Sequence, residues 1–243
     1  MIVIPMAGLS SRFKNAGYDK PKYMLELAGN TLFDLSISSF NKYFQTEKFI
    51  FIIRDIDGTF EFVRTSCLKL NIKNFEIVVL KENTKGQAET VAIALNEQKV
   101  KNGERVIIFN IDTFRPNYTF PDVKKEYDGY LEVFRGEGEH WSFIEILESD
   151  HLLVKRTTEK ERISDLCSTG LYYFRNVELF INAFNKYKDL PIEKWSKGEL
   201  YIAPLYNILI SSGMRIGYEI IEDKDVIFCG TPAEYIECQK SYK

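Results

Sequence analysis

Residues 2–13 read Ile2-Val3-Ile4-Pro5-Met6-Ala7-Gly8-Leu9-Ser10-Ser11-Arg12-Phe13, and the fold turns on them. Ile2–Pro5 is a short apolar run of the kind a buried strand needs. No basic region precedes it, and it is too brief for a signal peptide. The residues that follow are small. Ala7, Gly8, Ser10 and Ser11 let the backbone come close to a ligand and aim its N–H groups at phosphate oxygens. Arg12 adds a planar, permanently charged fork suited to phosphate. Lys22 follows Pro21, whose ring fixes the local backbone, and Lys20 is nearby. Backbone amides alone rarely neutralise a triphosphate, whereas loop, arginine and lysine together could. Two other phosphate-binding designs fail on spelling. The dinucleotide fingerprint G-x-G-x-x-G needs glycine where Ser10 and Phe13 stand, and the P-loop pattern G-x-x-x-x-G-K-[ST] is absent. The segment is a third phosphate-binding design, or else a turn whose charges are merely solvated.

Outward from this segment, strand-like and helix-like stretches alternate. Thr31–Phe44 sets Phe33, Ile37, Phe40 and Phe44 on one helical face, Lys48–Arg54 is β-rich, and Phe60, Val63, Cys67 and Leu70 trace a second amphipathic helix. A strand over Phe75–Leu80, a loop over Lys81–Gly86, a helix over Gln87–Gln98 and a fourth strand over Arg105–Asn110 follow. Four strands joined by helical crossovers predict an α/β fold with a mostly parallel sheet covered by helices. From Asp128 the rhythm changes. Asp128–Phe134, Trp141–Glu148 and His151–Thr157 are strand-like with no helix between them, and Ser168–Phe174 is another strand. Helices are expected where Val177, Ile181, Phe184 and Tyr187 recur, and over Glu199–Ser211 with Pro204 disturbing its start. Thr231-Pro232-Ala233-Glu234 spells a capping box that opens the last helix. With no repeat or linker, a single domain over residues 1–243 is expected, its halves being 1–127 and a 128–243 half with an inserted β-rich lobe.

Composition narrows the function. The 32 basic and 35 acidic side chains leave a net charge of −3, which excludes a broad basic surface for nucleic acid but not a small basic pocket. At 45% hydrophobic and 28% charged the chain is globular rather than disordered. No stretch approaches the ~20 apolar residues of a membrane span. Cys67, Cys167, Cys229 and Cys238 form no C-x-x-C pair, and with only His140 and His151 a Cys/His metal centre is not expected. Reduced, buried thiols in a cytoplasmic protein are.

Continued through Pro21-Lys22-Tyr23-Met24-Leu25-Glu26-Leu27-Ala28-Gly29, the opening resembles the nucleotidyltransferases that join an NTP to a phosphorylated small molecule. Their pattern is a small-residue loop ending in Arg, then Pro-Lys, then Gly before a helix. Further matches run in order over nearly the whole chain. Gly86-Gln87-Ala88-Glu89-Thr90 resembles the base-contacting turn and helix, and Asn110-Ile111-Asp112 the metal-binding Asp after the fourth strand. Glu159-Lys160, Ser168-Thr169-Gly170-Leu171-Tyr172-Tyr173-Phe174 and Gly230-Thr231-Pro232 resemble the acceptor lobe and carboxyl-terminal segments. The resemblance implies a GT-A, Rossmann-like fold in which 1–127 binds nucleotide and 128–243 binds acceptor. It implies an enzyme whose partners are an NTP and a phosphorylated acceptor, with no nucleic acid and no membrane insertion; a homo-oligomer is compatible with it.

The implied chemistry is attack by an acceptor phosphate oxygen on the α-phosphorus with release of pyrophosphate. The acceptor phosphate, its second pKa being about 6, is already ionised, so no general base is required. Catalysis is then positioning and charge neutralisation. Met6, Ala7, Gly8, Leu9, Ser10, Ser11 and Arg12 would cradle the phosphates, with Arg12 at the β/γ groups and Lys22 at the α-phosphate, these two being catalytic. Asp112 would hold Mg²⁺, Gln87 would read the base, and Glu159, Lys160 and Gly170 would meet the acceptor. Plain structural roles compete: a turn or cap for Asp112, a helix start for Gln87, and a solvated charged run from Lys155 to Arg162. His140-Trp141 reads as packing, and Glu199 matches a family acidic position of unassigned role.

One departure bears on the base. Thymidylyl-type relatives place a second metal-binding Asp two residues before Gly-Thr, and here that position is Phe228, which leaves room for a cytidylyl-type enzyme. The wording of Met6–Phe13 and Gly86–Glu89 is similar to that of capsule-linked cytidylyltransferases acting on phosphoglutamine. CTP is accordingly favoured, the alternatives being a dTTP- or UTP-dependent sugar-1-phosphate enzyme or a catalytically silent nucleotide-binding subunit. A glycosyltransferase would need a D-x-D motif, and Asp55-Ile56-Asp57 sits one strand early and reads as a helix start.

Overall fold

The computed structural model describes residues 1–120 and 127–241. They divide into two compact units, one comprising Ile2–Lys81, Phe109–Thr119 and Lys224–Lys243, the other Met1, Glu82–Ile108 and Phe120–Asp223.

In the first unit the strand Phe49–Ile53 is central. It pairs in parallel with Ile2–Pro5, Ile2 opposite Phe49 and Pro5 opposite Ile52. On its other side it pairs in parallel with Phe75–Val79. All five of its residues are buried, which is why Phe-Ile-Phe-Ile-Ile shows no polar alternation. Parallel neighbours need crossovers, supplied here by the helices Leu32–Ser38 and Thr59–Lys69. Thr31 opens the first crossover by accepting the Asp34 amide on Oγ1 at 3.1 Å. The helix expected to reach Phe44 stops at Ser38, and a 3₁₀ turn over Asn41–Tyr43 follows. Ser36, Ser38 and Ser39 are weak helix formers at that point, yet Phe33, Ile37, Phe40 and Phe44 are all buried, so the apolar spacing survives the bend. The second crossover buries Thr59, Val63, Ser66 and Cys67, while Phe60 and Leu70 are only half-buried.

The strands of the second unit that follow residue 127 form a mixed, mainly antiparallel arrangement. Leu166–Phe174 is antiparallel to Gly129–Arg135, and Asp150–Glu159 is antiparallel to both Ser142–Leu147 and Ile216–Ile220. Ile216–Ile220 runs parallel to Gly129–Arg135, and a bridge between Cys167 and Phe143 returns Leu166–Phe174 to Ser142–Leu147. Ile216–Ile220 went unread in the sequence, although Ile216, Tyr218 and Ile220 alternate with Gly217 and Glu219. The expected helix over Glu199–Ser211 is confined to Leu205–Ser211 with Pro204 just before it. A proline there lacks the N–H that a preceding turn would need, and Glu199 is fully extended at φ −124°, ψ 155°. The mixed α/β architecture with helix-covered strands agrees with the predicted fold class. Among the described residues all four cysteines are buried and unpaired, and no helix is long and apolar enough to cross a membrane.

Candidate active site

The phosphate-loop candidate begins where the first strand ends. The Met6 amide still donates to the Ile52 carbonyl at 2.9 Å, and Gly8 and Leu9 then leave the sheet and are exposed. Ser10 adopts a left-handed conformation at φ 51°, and its carbonyl accepts the Phe13 and Lys14 amides, starting the short helix Ser11–Asn15. A Cβ at Gly8 would meet nothing within 4 Å, so the loop is open to solvent above that residue. Arg12 is exposed, and among the described residues its guanidinium has no partner. Its neighbour Phe13 is buried with Leu27, Leu32, Phe114, Cys229, Tyr235 and Cys238, which anchors the loop from below.

Lys22 is tied to the same loop, its backbone amide donating to Ser10 Oγ at 3.2 Å. The next residue, Tyr23, is buried and its hydroxyl bonds Thr59 Oγ1 at 3.0 Å, so the chain at Lys22 is held from inside. The Lys22 ammonium donates to Asp112 Oδ2. At 23% and 22% exposure the two side chains are partly shielded but within reach of a ligand. Asp112 lies just after Val106–Phe109 and before the short strand Thr113–Phe114, which pairs antiparallel with Ile227–Phe228. That pairing brings the carboxyl-terminal segment onto Asp112, whose carbonyl accepts the Cys229 amide at 2.8 Å.

Gly230 completes the contact. A Cβ there would lie 2.7 Å from Asp112 Oδ2, so only glycine leaves room for the carboxylate as placed. The predicted capping box holds the segment still. Thr231 Oγ1 accepts the Glu234 amide at 3.2 Å, while Glu234 Oε2 accepts the Gly230 and Thr231 amides at 2.8 and 2.9 Å. Phe228 stands opposite Thr113, one residue from Asp112.

A magnesium ion fits this donor set in one mode. Lys22 occupies Oδ2, and Asp112 Oδ1 has no protein partner among the described residues. No group of three or more His, Cys, Asp or Glu side chains is placed to hold a metal among them. One carboxylate supplemented by substrate phosphates and water is an ordinary way to hold Mg²⁺, and a full protein cage is not needed.

The remaining predicted residues lie in the second unit. Gln87 is the first residue of the helix Gln87–Glu97, after Gly86 at φ 147°. A Cβ on Gly86 would fall 2.5–2.8 Å from the backbone of Leu200, whose carbonyl accepts the Ala88 amide and whose amide donates to the Lys85 carbonyl, both at 2.8 Å. Glu159 is buried at the end of its strand and accepts from Ser142 Oγ, which also bonds the Tyr172 hydroxyl at 3.1 Å. Burial raises the Glu159 carboxyl above its ordinary range, against the Ser142 bond and the Lys160 charge, while Glu199 pushes upward with burial. Lys160 is left-handed at φ 53°; its amide donates to the Trp141 carbonyl at 2.8 Å and its ammonium to the Tyr201 hydroxyl. Gly170 is left-handed at φ 87° and its amide donates to Ser168 Oγ at 3.1 Å. Trp141 packs on His140 and Phe134, as expected of a structural pair.

A crystal structure of the nucleoside-diphosphate-sugar pyrophosphorylase from Vibrio cholerae RC9 is 50% identical, superposes with a TM-score of 0.94, and covers 99% of this chain and 100% of that one. The chain belongs to the sugar-phosphate nucleotidyltransferases. A UDP-glucose pyrophosphorylase complexed with UDP-glucose (17% identity, TM-score 0.76, 99% and 97% covered) has the same fold. So does the inositol-1-phosphate CTP transferase from T. maritima (14%, 0.73, 98% and 94%). No protein-family model and no curated protein sequence matches the chain.

In this nucleotidyltransferase the structure joins Met6–Arg12, Lys22 and Asp112 within one unit, and Gln87, Glu159, Lys160 and Gly170 belong to the other. Sequence reading missed the role of Gly230 beside Asp112, although it stands in a segment singled out for the resemblance. Ser142 and Tyr201 carried no signal, because their meaning comes from partners 17 and 41 residues away; Tyr172 stands in a segment singled out for the resemblance, but its bond to Ser142 was not readable. Asp55 behaves as read, its carboxylate accepting the Phe60 amide at 3.0 Å at the start of Thr59–Lys69.

Proposed function

We propose that this nucleotidyltransferase, working with Mg²⁺ in the cytoplasm, joins CTP to a phosphorylated small molecule and releases pyrophosphate, as a step towards capsule or surface polysaccharide. The observation that carries the reading is the Lys22–Asp112 pair, tied through Ser10 to an open loop of small residues that ends in an unpartnered arginine. Four unpaired thiols fit a reducing compartment. The chain is treated as one nucleotidyltransferase domain.

Residue roles follow from charge and reach. The amides of Ala7–Ser11 and the Arg12 fork bind the β- and γ-phosphates, Met6 serving as the anchor of the loop on Ile52, so charge that collects on the departing pyrophosphate is met there. Lys22 sits at the α-phosphate, and Gln87 reads the base edge. Lys160, with Glu159 and Gly170, binds the acceptor. An acceptor phosphate oxygen forms the new bond to the α-phosphorus, and the bond to the bridging α–β oxygen breaks, the electron pair leaving on pyrophosphate. Bound at Asp112, Mg²⁺ supplies neutralisation of phosphate charge. No side chain has to remove a proton, because the attacking phosphate is already ionised near neutrality.

Within this reading phosphoglutamine is the favoured acceptor, on the wording of Met6–Phe13 and Gly86–Glu89 and on Phe228. The second reading is UTP or dTTP with a sugar 1-phosphate, supported by the name of the V. cholerae relative. Pyrophosphate release separates them, measured with Mg²⁺ and each of CTP, UTP, dTTP, GTP and ATP against phosphoglutamine and pooled sugar 1-phosphates. Release confined to CTP with phosphoglutamine is expected. Release with UTP or dTTP and a sugar 1-phosphate replaces it by the second reading, and silence in every combination removes both.

A further inference from the structure

We propose that Tyr201 is the positioning residue for Lys160, holding the lysine ready for the phosphate of the acceptor; the inference rests on Lys160 as an acceptor-binding residue. The Lys160 ammonium donates to the hydroxyl of Tyr201, a residue 41 positions away in the chain. The nitrogen lies off the hydroxyl edge of the ring, 4.5 Å from its centroid. A hydroxyl that accepts from a charged donor makes one of the stronger hydrogen bonds.

The backbone beneath Lys160 is specified as tightly. It is one of the few non-glycine residues with positive φ, at 53°, a conformation with a steric cost that persists only where the surroundings impose it. Its amide is fixed to the Trp141 carbonyl at 2.8 Å. Tyr201 is itself held in place, since the adjacent Leu200 is bonded through both its amide and its carbonyl to Lys85 and Ala88. A lysine on a flexible four-carbon stem ordinarily loses rotamer freedom when it captures a phosphate. One already bonded to a fixed hydroxyl loses less, and the gain appears in acceptor affinity. The contact also leaves part of the ammonium's donor capacity for a ligand, because a lysine has three N–H donors and the hydroxyl takes one.

The test is a double-mutant cycle with steady-state kinetics, run with Mg²⁺, CTP and phosphoglutamine and in parallel with Mg²⁺, UTP and glucose 1-phosphate. Tyr201→Phe, which removes only the hydroxyl, is expected to raise the acceptor KM about tenfold, with kcat and the nucleotide KM within about twofold of wild type. Tyr201→Leu is expected to match it, and the phenylalanine variant decides if the leucine variant fails to fold. In a Lys160→Ala background either Tyr201 change is expected to have no further effect, the signature of one shared interaction. Additive effects, or a Tyr201→Leu loss that falls on kcat and nucleotide KM instead, overturn the positioning role while leaving Lys160 as an acceptor residue. An unchanged acceptor KM in Lys160→Ala itself, or a wild-type protein that turns over neither pair, removes the underlying reading and the proposal with it.

Discussion

The surroundings of Asp112 and those of Glu159 hold a carboxylate in opposite ways. Asp112 is partly exposed, shares one oxygen with the Lys22 ammonium, and is shaped by backbone: the Cys229 amide on its carbonyl and the missing side chain of Gly230 beside its oxygen. Glu159 is buried, takes a hydroxyl from Ser142, and is raised above its ordinary pKa range chiefly by lost hydration. The first arrangement keeps charge available to an incoming ligand; the second keeps a hydrogen-bonding group in place while discouraging its charge. On the proposed reading, polyphosphate meets the former, and the latter stands beside Lys160, which meets the acceptor.

The largest effect that would sharpen this contrast is expected at Lys22. Lys22→Ala removes the ammonium beside Asp112 without opening a cavity, since the pair is partly exposed and Tyr23 still anchors the turn. Turnover is expected to fall by about 10²–10³, the usual loss when a preorganised charge at a reacting centre is removed, with the unfolding transition nearly unmoved. Near-normal turnover would break the contrast at its strongest point and move the charge-neutralising role elsewhere.

A subtler break compares one substitution in two glycine turns. At Gly230 a new Cβ would press on Asp112 Oδ2, the end of a side chain that can swing away. The fold then gives little, within about 1 kcal/mol, while a displaced carboxylate is expected to cost about a hundredfold in turnover and to weaken binding of Mn²⁺–nucleotide followed by electron paramagnetic resonance. At Gly86 the new Cβ would press on Leu200 backbone, and φ 147° disfavours any side chain. Gly86→Ala is therefore expected to lose about 1–3 kcal/mol of stability in urea unfolding. If Gly230→Ala proves unstable and active instead, the glycine serves packing and not the site.

What the sequence disclosed follows the same division. The loop Met6–Arg12, Lys22 and Asp112 were readable because their residue types and order are the signal, and the capping box Thr231–Glu234 is written within four residues. The parallel strands were readable from unbroken apolar runs such as Phe49–Ile53. The bonds of Ser142 to Tyr172 and of Lys160 to Tyr201 were not, because such a serine or tyrosine acquires its role from segments that only the folded chain brings together. The helix end at Ser38 was missed because local serines outweighed a hydrophobic period that continued past it, whereas Pro204, expected to disturb the later helix, sets its start at Leu205.

The smallest expected effect is also the most direct measure of how the two carboxylates differ. Glu159 has a raised carboxyl in the folded protein, so the folded state holds its proton at pH values where the unfolded chain has released it. The stabilisation tied to that proton is complete below the ordinary carboxylate pKa of about 4.3 and is lost as pH rises through the raised native value. Glu159→Gln keeps the shape and an oxygen for Ser142 Oγ but has no charge to desolvate. The variant's unfolding free energy minus that of the wild type is thus expected to increase from acid to neutral pH, by an amount small beside the losses at Gly86. Urea unfolding at a series of pH values reads it directly. A difference that stays flat would show the native Glu159 carboxyl titrating as it does in the unfolded chain, and lost hydration would then not be what sets its site apart.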